Sequence, residues 1–220
     1  MVNAGSSFDG KTITLTANID LAAHYWTPIG TAENDFRGRF EGDNKFINNL
    51  TINTTAQYQG LFGSLSSAFV MDVNIVGCNI TAGSYTGAIA GKAGFTTISN
   101  CSVSGEIHGA GTSTQKYYGG IVGYVNGSSY GNLIISGNTN TASVSINTTS
   151  GYAVGGIVGY FGRTTKFRNN FSTGTVLGSA YIGTLIGQID EDPDYNEYTN
   201  NCYPAGCSVQ RFQVEMSMLL

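Results

Sequence analysis

Residues 152–176 read YAVGGIVGYFGRTTKFRNNFSTGTV, and the chain rewrites this stretch along much of its length. An aromatic opens it, and a glycine-flanked apolar core follows (Gly155-Gly156-Ile157-Val158-Gly159). A polar turn leads to an Asn with an apolar neighbour (Asn170, Phe171), and a Gly-x-Val strand closes the unit. Tyr118-Gly119-Gly120-Ile121-Val122-Gly123-Tyr124 repeats the opening almost letter for letter. YTGAIAG (85–91), YQGLFG (58–63) and YIGTLIG (181–187) are looser copies.

The last glycine of each copy gives the anchors Gly63, Gly91, Gly123, Gly159 and Gly187, separated by 28, 32, 36 and 28 residues. These spacings fall in the range of about 20–45 residues expected of stacked solenoid units. A second landmark runs in the same order. Asn100-Cys101-Ser102-Val103-Ser104-Gly105-Glu106-Ile107 is matched to Asn170-Phe171-Ser172-Thr173-Gly174-Thr175-Val176, with poorer copies at Val76-Gly77-Cys78-Asn79-Ile80 and Asn201-Cys202-Tyr203.

Charged residues make up only 11% of the 220, glycine is abundant (31) and proline scarce (3). A disordered chain needs the opposite balance, high charge with little to bury. A β protein whose turns are made by Asn, Ser, Thr and Gly fits. Val73-Asn74-Ile75, Cys101-Ser102-Val103 and Val144-Ser145-Ile146 alternate with period 2, and no helical pattern interrupts residues 58–188. The third repeat carries a polar excursion at residues 126–140. The net charge of −4 comes with no basic stripe, so no nucleic-acid partner is expected. No segment reaches the ~18 apolar residues of a membrane helix. Met1 followed by VNAGSSFDGK reads like the interior of a larger protein.

Three regions follow. Residues 1–57 are read as an N-terminal cap with the first strands: Lys11-Thr12-Ile13-Thr14-Leu15-Thr16 alternates, and Phe36-Arg37-Gly38-Arg39-Phe40 puts both Phe on one face and both Arg on the other. Residues 58–188 are the repeats, and residues 189–220 an acidic loop with a degraded terminal repeat. The architecture predicted is an all-β solenoid. Cys78, Cys101 and Cys202 are expected to stack as buried thiols in one interior column, with a local disulfide between Cys202 and Cys207 as the alternative.

The repeats resemble those of bacterial surface proteins carrying the GLUG repeat, which opens on Gly-Gly-apolar-apolar-Gly-Tyr. Gly119 to Tyr124 and Gly155 to Tyr160 carry the likeness most closely, and Leu15 to Leu21, Trp26 to Gly30 and Phe40 to Ile52 resemble the region that precedes such repeats. Glu41-Gly42-Asp43-Asn44 departs from the Asp-Gly-Asn-Gly expected there. The resemblance implies a right-handed parallel β-helix in a secreted or surface-anchored protein of gut-type bacteria, adhesin-like. The same repeats accompany IgA-protease-type metallopeptidases. The H-E-x-x-H motif of those peptidases is absent, since neither His24 nor His108 is followed by Glu. Protease chemistry would lie outside this chain.

Candidate binding residues are few. Tyr124 and Tyr160 stand one residue after a repeat anchor and would pair on one face, either as a glycan grip or as an aromatic ladder sealing a corner. Arg163, Lys166 and Arg168 form the densest basic cluster, open to an anionic glycan or serving solubility alone. Glycoside hydrolysis needs two carboxylates roughly 5–9.5 Å apart, and between Asn44 and Ile189 only Asp72 and Glu106 are acidic. No catalytic residue, metal ligand or cofactor is expected. The acidic run at residues 190–194, with Glu197 nearby, lacks the order of a calcium loop and reads as solvated. The sequons at Asn49, Asn53, Asn79, Asn100, Asn126, Asn147 and Asn170 read as turn chemistry. The expected role is a non-catalytic surface module that binds a glycan or an extracellular protein. A purely structural spacer and a carbohydrate-active β-helix enzyme are the alternatives. Exposure of Tyr124 and Tyr160 on one face separates module from spacer, and convergence of two carboxylates in a groove separates module from enzyme.

Overall fold

Short runs that alternate polar and apolar side chains suit parallel sheets wrapped around one narrow core. The computed structural model describes residues 1–22, 24–110, 116–126, 133–147, 152–162, 165–178, 180–189 and 197–203. Over these the chain is a β-solenoid, with four-, five-, seven- and nine-stranded sheets visited in that order in each complete coil. One coil shows the path. Lys116–Gly119 lies in the four-stranded sheet, Val122–Val125 in the five-stranded, Leu133–Ser136 in the seven-stranded, and Thr139–Asn140 and Ser143–Ile146 in the nine-stranded. Each strand pairs in parallel with its counterpart one coil away. Leu133 and Ile135 are buried core residues, so the polar excursion read at 126–140 is shorter than expected. No helix of the described residues is long and apolar enough to cross a membrane.

The five anchor glycines are each the second residue of a five-stranded-sheet strand: Phe62–Ser66, Ala90–Gly94, Val122–Val125, Val158–Phe161 and Ile186–Ile189. A second glycine column, Gly87, Gly119, Gly155 and Gly183, ends the four-stranded-sheet strands. The chain reverses between the two columns so tightly that a Cβ on Gly119 or Gly155 would strike the carbonyl oxygen of Val122 or Val158. Close approach, not a positive φ, demands glycine there.

The inward columns are apolar and compensate in volume. Phe62, Ala90, Val122, Val158 and Ile186 form one, and Phe40, Val70, Ile98, Ile135, Phe167 and Tyr198 another. Where Ala90 and Ala93 leave space, the first coils supply rings: Phe62 lies 5.1 Å from Phe36 and 5.3 Å from Phe40. Each buried Phe contributes about 2–3 kcal/mol of transfer free energy.

From Asp72 onward the corner between the seven- and nine-stranded sheets turns on one left-handed residue per coil: Asp72 (φ 56), Asn100 (54), Gly137 (67), Asn169 (55) and Asn200 (54). Asn, Asp and Gly tolerate this region best. The next residue points inward, giving the column Val73, Cys101, Asn138, Asn170 and Asn201. Its last three members form an amide ladder inside the solenoid.

This register corrects two expectations. Ser102 pairs with Thr139 and Thr139 with Phe171, so Cys101 is level with Asn170, one residue away from the match read in the sequence. A one-residue slip turns each side chain to the other face. The three cysteines therefore do not share a column. Cys101 is level with the asparagines, Cys78 pairs with Gly105, and Cys202 bridges Phe171 on the outward column. Cys78 and Cys101 are buried thiols, and Cys207 lies outside the described residues. The sequon at Asn170 is likewise core, not turn.

Residues 1–57 give Thr12–Thr14 and Arg39–Glu41 to the seven-stranded sheet and Ile19–Asp20, Phe46–Asn48 and Thr51–Asn53 to the nine-stranded. Phe36 and Phe40 face inward, with Arg37 exposed and Arg39 half-buried on the opposite face. Trp26 donates its indole N–H to the Leu61 carbonyl at 3.0 Å, tying this region to the next coil.

Candidate functional site

Outward side chains flank the glycine-rich reversal on both sides. On the four-stranded sheet the outward column is Tyr58, Tyr85, Tyr117, Ala153 and Tyr181. On the five-stranded sheet it is Ser64, Lys92, Tyr124, Tyr160 and Gln188. Because the reversal is so short, the two columns meet as one ridge along the solenoid axis.

The rings of the ridge are in continuous contact. Tyr58 and Tyr85 stack at 4.8 Å and 16°, and Tyr124 and Tyr160 at 5.1 Å and 15°. Tyr85 meets Tyr117 edge-on at 5.4 Å and Tyr124 edge-on at 5.3 Å, joining the two stacks. Ala153, fully covered, is the small rung that lets Tyr160 reach Tyr117 at 4.8 Å. All five tyrosines are half-buried. Burial raises the Tyr85 phenol above its ordinary pKa, with further contributions from Tyr58 and Tyr117, and burial raises that of Tyr117.

Tyr58 and Tyr85 both sit at φ 59, in the left-handed region. Bulky residues rarely occupy it, and elsewhere in this chain it is held mainly by Asn, Asp, Ser and Gly. Phe8 (φ 60) and Phe95 (φ 52) share it away from the ridge, so it is the stacking of Tyr58 on Tyr85 that sets these two rings apart.

The structure thus brings the two predicted tyrosines, Tyr124 and Tyr160, together and adds Tyr58 and Tyr85, which open two of the looser copies, with Tyr117 and Lys92. Tyr118 and Tyr152, the opening aromatics of the two best copies, instead face the core and are 0% and 1% exposed. Lys166 and Arg168 share the outward face of Thr165–Arg168, with the Phe167 ring buried beneath them, on the seven-stranded sheet and off the ridge. Lys166 lies 3.8 Å from Glu197. Arg163 and the acidic run at 190–194 fall outside the described residues.

Of the two carboxylates weighed for catalysis, Asp72 is a left-handed corner residue and Glu106 an exposed strand residue. Three others, Asp9, Glu33 and Asp35, line a shallow cleft beside Arg37 at the N-terminal end. Two of them engage close neighbours: Asp35 accepts from Ser64 at 2.6 Å and lies 3.9 Å from Arg37, and Glu33 accepts from Thr31 at 3.2 Å. No group of three or more His, Cys, Asp or Glu among the described residues is placed to hold a metal ion.

No protein-family model matches the chain, and no curated protein matches it in sequence. Among solved structures it is similar to a Bacteroides ovatus protein described as a putative immunoglobulin A1 protease, with a TM-score of 0.68 and 21% identity. The match covers 92% of this chain and 64% of that one, so the chain spans less than two thirds of that protein's length. At this identity the likeness is one of fold: both chains wind the same parallel β-solenoid.

Proposed function

We propose that this chain is a non-catalytic binding module of a secreted or cell-surface protein, engaging a glycan or an extracellular protein through the tyrosine ridge. The resemblance of Gly119 to Tyr124 and Gly155 to Tyr160 to the GLUG repeat supports an adhesin-like context. The observation that carries the reading is the ridge itself: five half-exposed tyrosines, stacked into one surface across consecutive coils. Tyrosine supplies rigid, amphipathic contact area at low entropic cost and is enriched at binding hot spots. Repetition along the axis lets weak contacts add. The engaged state of Glu33 and Asp35 favours a binding role over hydrolysis.

The test is binding of the purified chain to arrays of glycans and of extracellular proteins, with Tyr124→Ala/Tyr160→Ala alongside. Phe46→Ala serves as control, since Phe46 is 44% exposed on the nine-stranded sheet, off the ridge. Binding lost only in the double variant, with its melting cooperative, supports the module. Absence of binding by the wild type overturns it in favour of a spacer, and binding that the double variant retains overturns the ridge as its contact surface.

A further inference from the structure

Resting on the ridge as the contact surface, we propose that its ligand is a linear acidic polysaccharide lying parallel to the solenoid axis. The stacked pairs Tyr58–Tyr85 and Tyr124–Tyr160 use their ring faces on one another, so the ridge presents mainly ring edges. An aromatic edge is the positive rim of the ring quadrupole, and it attracts oxygen-rich, negative groups. A flat sugar ring stacked on an open aromatic face is not what this surface offers.

Charge agrees. Lys92 stands in the ridge column one coil before Tyr124, and neither outward column contains Asp or Glu. Asp35 approaches only through Ser64, at the N-terminal end of the column. Lys92 is therefore the cation of the two columns, flanked by neutral tyrosines as far as Tyr160.

Geometry selects a polysaccharide over a peptide. The ridge repeats once per coil, with ring spacings of 4.8 Å at Tyr58–Tyr85 and 5.1 Å at Tyr124–Tyr160, close to the length of one sugar unit in an extended chain. The strands beneath it, Ala90–Gly94, Val122–Val125 and Val158–Phe161, are paired on both sides, so no free edge accepts a peptide strand.

Calorimetric titration tests this with fragments of polygalacturonate, hyaluronan and heparan sulfate of two to eight units. Neutral cello-oligosaccharides and polyglutamate run beside them. Affinity for at least one acidic saccharide is expected to rise about tenfold from two to six units and then level off. Lys92→Glu lowers it about tenfold while leaving the melting temperature unchanged, and added salt weakens it. Failure of all three acidic saccharides, equal binding of the neutral series, or indifference to Lys92→Glu overturns the proposal. Binding of polyglutamate alone overturns it in favour of an acidic protein. If the acidic saccharides fail while another array ligand is still lost in Tyr124→Ala/Tyr160→Ala, only this inference falls. If no ligand depends on those tyrosines, the binding-module reading falls with it.

Discussion

Asn138 donates from Nδ2 to Oδ1 of Asn170 at 3.0 Å, deep inside the solenoid, and Asn170 repeats the bond to Asn201 at 3.1 Å. Each amide also donates to a backbone carbonyl one coil back: Asn138 to Ile98 at 3.1 Å, Asn170 to Ile135 at 2.9 Å and Asn201 to Phe167 at 2.9 Å. The Asn138 backbone N–H is answered by Asn170 Oδ1 at 3.1 Å. The ladder thus supplies hydrogen bonds at a corner where the left-handed turn interrupts the sheets.

Removal of its central rung strands partners on both sides. Asn170→Ala is expected to cost about 3 kcal/mol, because a buried group left without a partner costs roughly 1–3 kcal/mol. Asn201→Ala, at the half-buried end of the ladder, costs less. Urea denaturation of the two variants measures this, and a loss under about 1 kcal/mol for Asn170→Ala means the ladder adds little.

Ser172 offers the opposite case. Its hydroxyl is fully buried with no hydrogen-bond partner, packed beside the backbone of Gly156. Ser172→Ala removes an unsatisfied polar atom without opening a large cavity. Stability is expected to stay level or rise by up to about 1 kcal/mol. A marked fall in melting temperature would show that the hydroxyl has a role the packing does not reveal.

The glycine anchors were legible because steric closure admits no other residue in those places, so the spacing of 28, 32, 36 and 28 residues survives in the sequence. The facing of side chains was harder to read. Two doublets, Tyr117-Tyr118 and Asn169-Asn170, offer the same residue type to both faces, and nothing local decides which member points inward. Aligning on the last glycine selected Tyr118, which is core. The column Gly60, Gly87, Gly119, Gly155 and Gly183 would have found the ridge, because Tyr58, Tyr85, Tyr117, Ala153 and Tyr181 each stand two residues before it. Lys92 carried no signal, since only the register places it beside Tyr124.

The same closure predicts unequal tolerance among glycines. At Gly155 a Cβ would strike the Val158 carbonyl and lie 2.7 Å from the Gly187 nitrogen, all rigid backbone. At Gly94 the nearest atom is 3.5 Å away. Gly155→Ala is expected to cost more than about 3 kcal/mol or to prevent folding, whereas Gly94→Ala is neutral or stabilising by about 0.5 kcal/mol through the unfolded state. Thermal melting of the two variants gives the comparison, and equal effects would contradict the tight reversal.

Burial pushes the Cys78 and Cys101 thiols up to about 12. The thiolate is the reactive form, so neither should react with a disulfide reagent in the native protein at pH 8, while both react after unfolding. Their raised pKa favours the folded state fully below the ordinary thiol range, and that contribution is lost as pH climbs toward 12. Rapid labelling of Cys101 in the native state would contradict its place in the asparagine column.

The ridge carries its own pH signature. Burial raises the Tyr85 phenol, and the neighbouring Tyr58 and Tyr117 add to the shift; burial raises Tyr117 as well. A phenol whose folded pKa exceeds its unfolded value holds its proton more tightly when folded. Its stabilisation is whole below about pH 10 and is lost as pH rises through the folded pKa. Melting temperature measured from pH 8 to 11.5 should therefore fall above pH 10, and the fall should be shallower in Tyr85→Phe, which keeps the ring contacts and removes the ionisable hydroxyl. Since Cys78 and Cys101 titrate in the same direction in both proteins, the difference between the two curves isolates Tyr85. Superimposable curves would mean that the ridge tyrosines ionise as freely as they do in the unfolded chain, with their hydroxyls open to water and not held in the stacked surface described here.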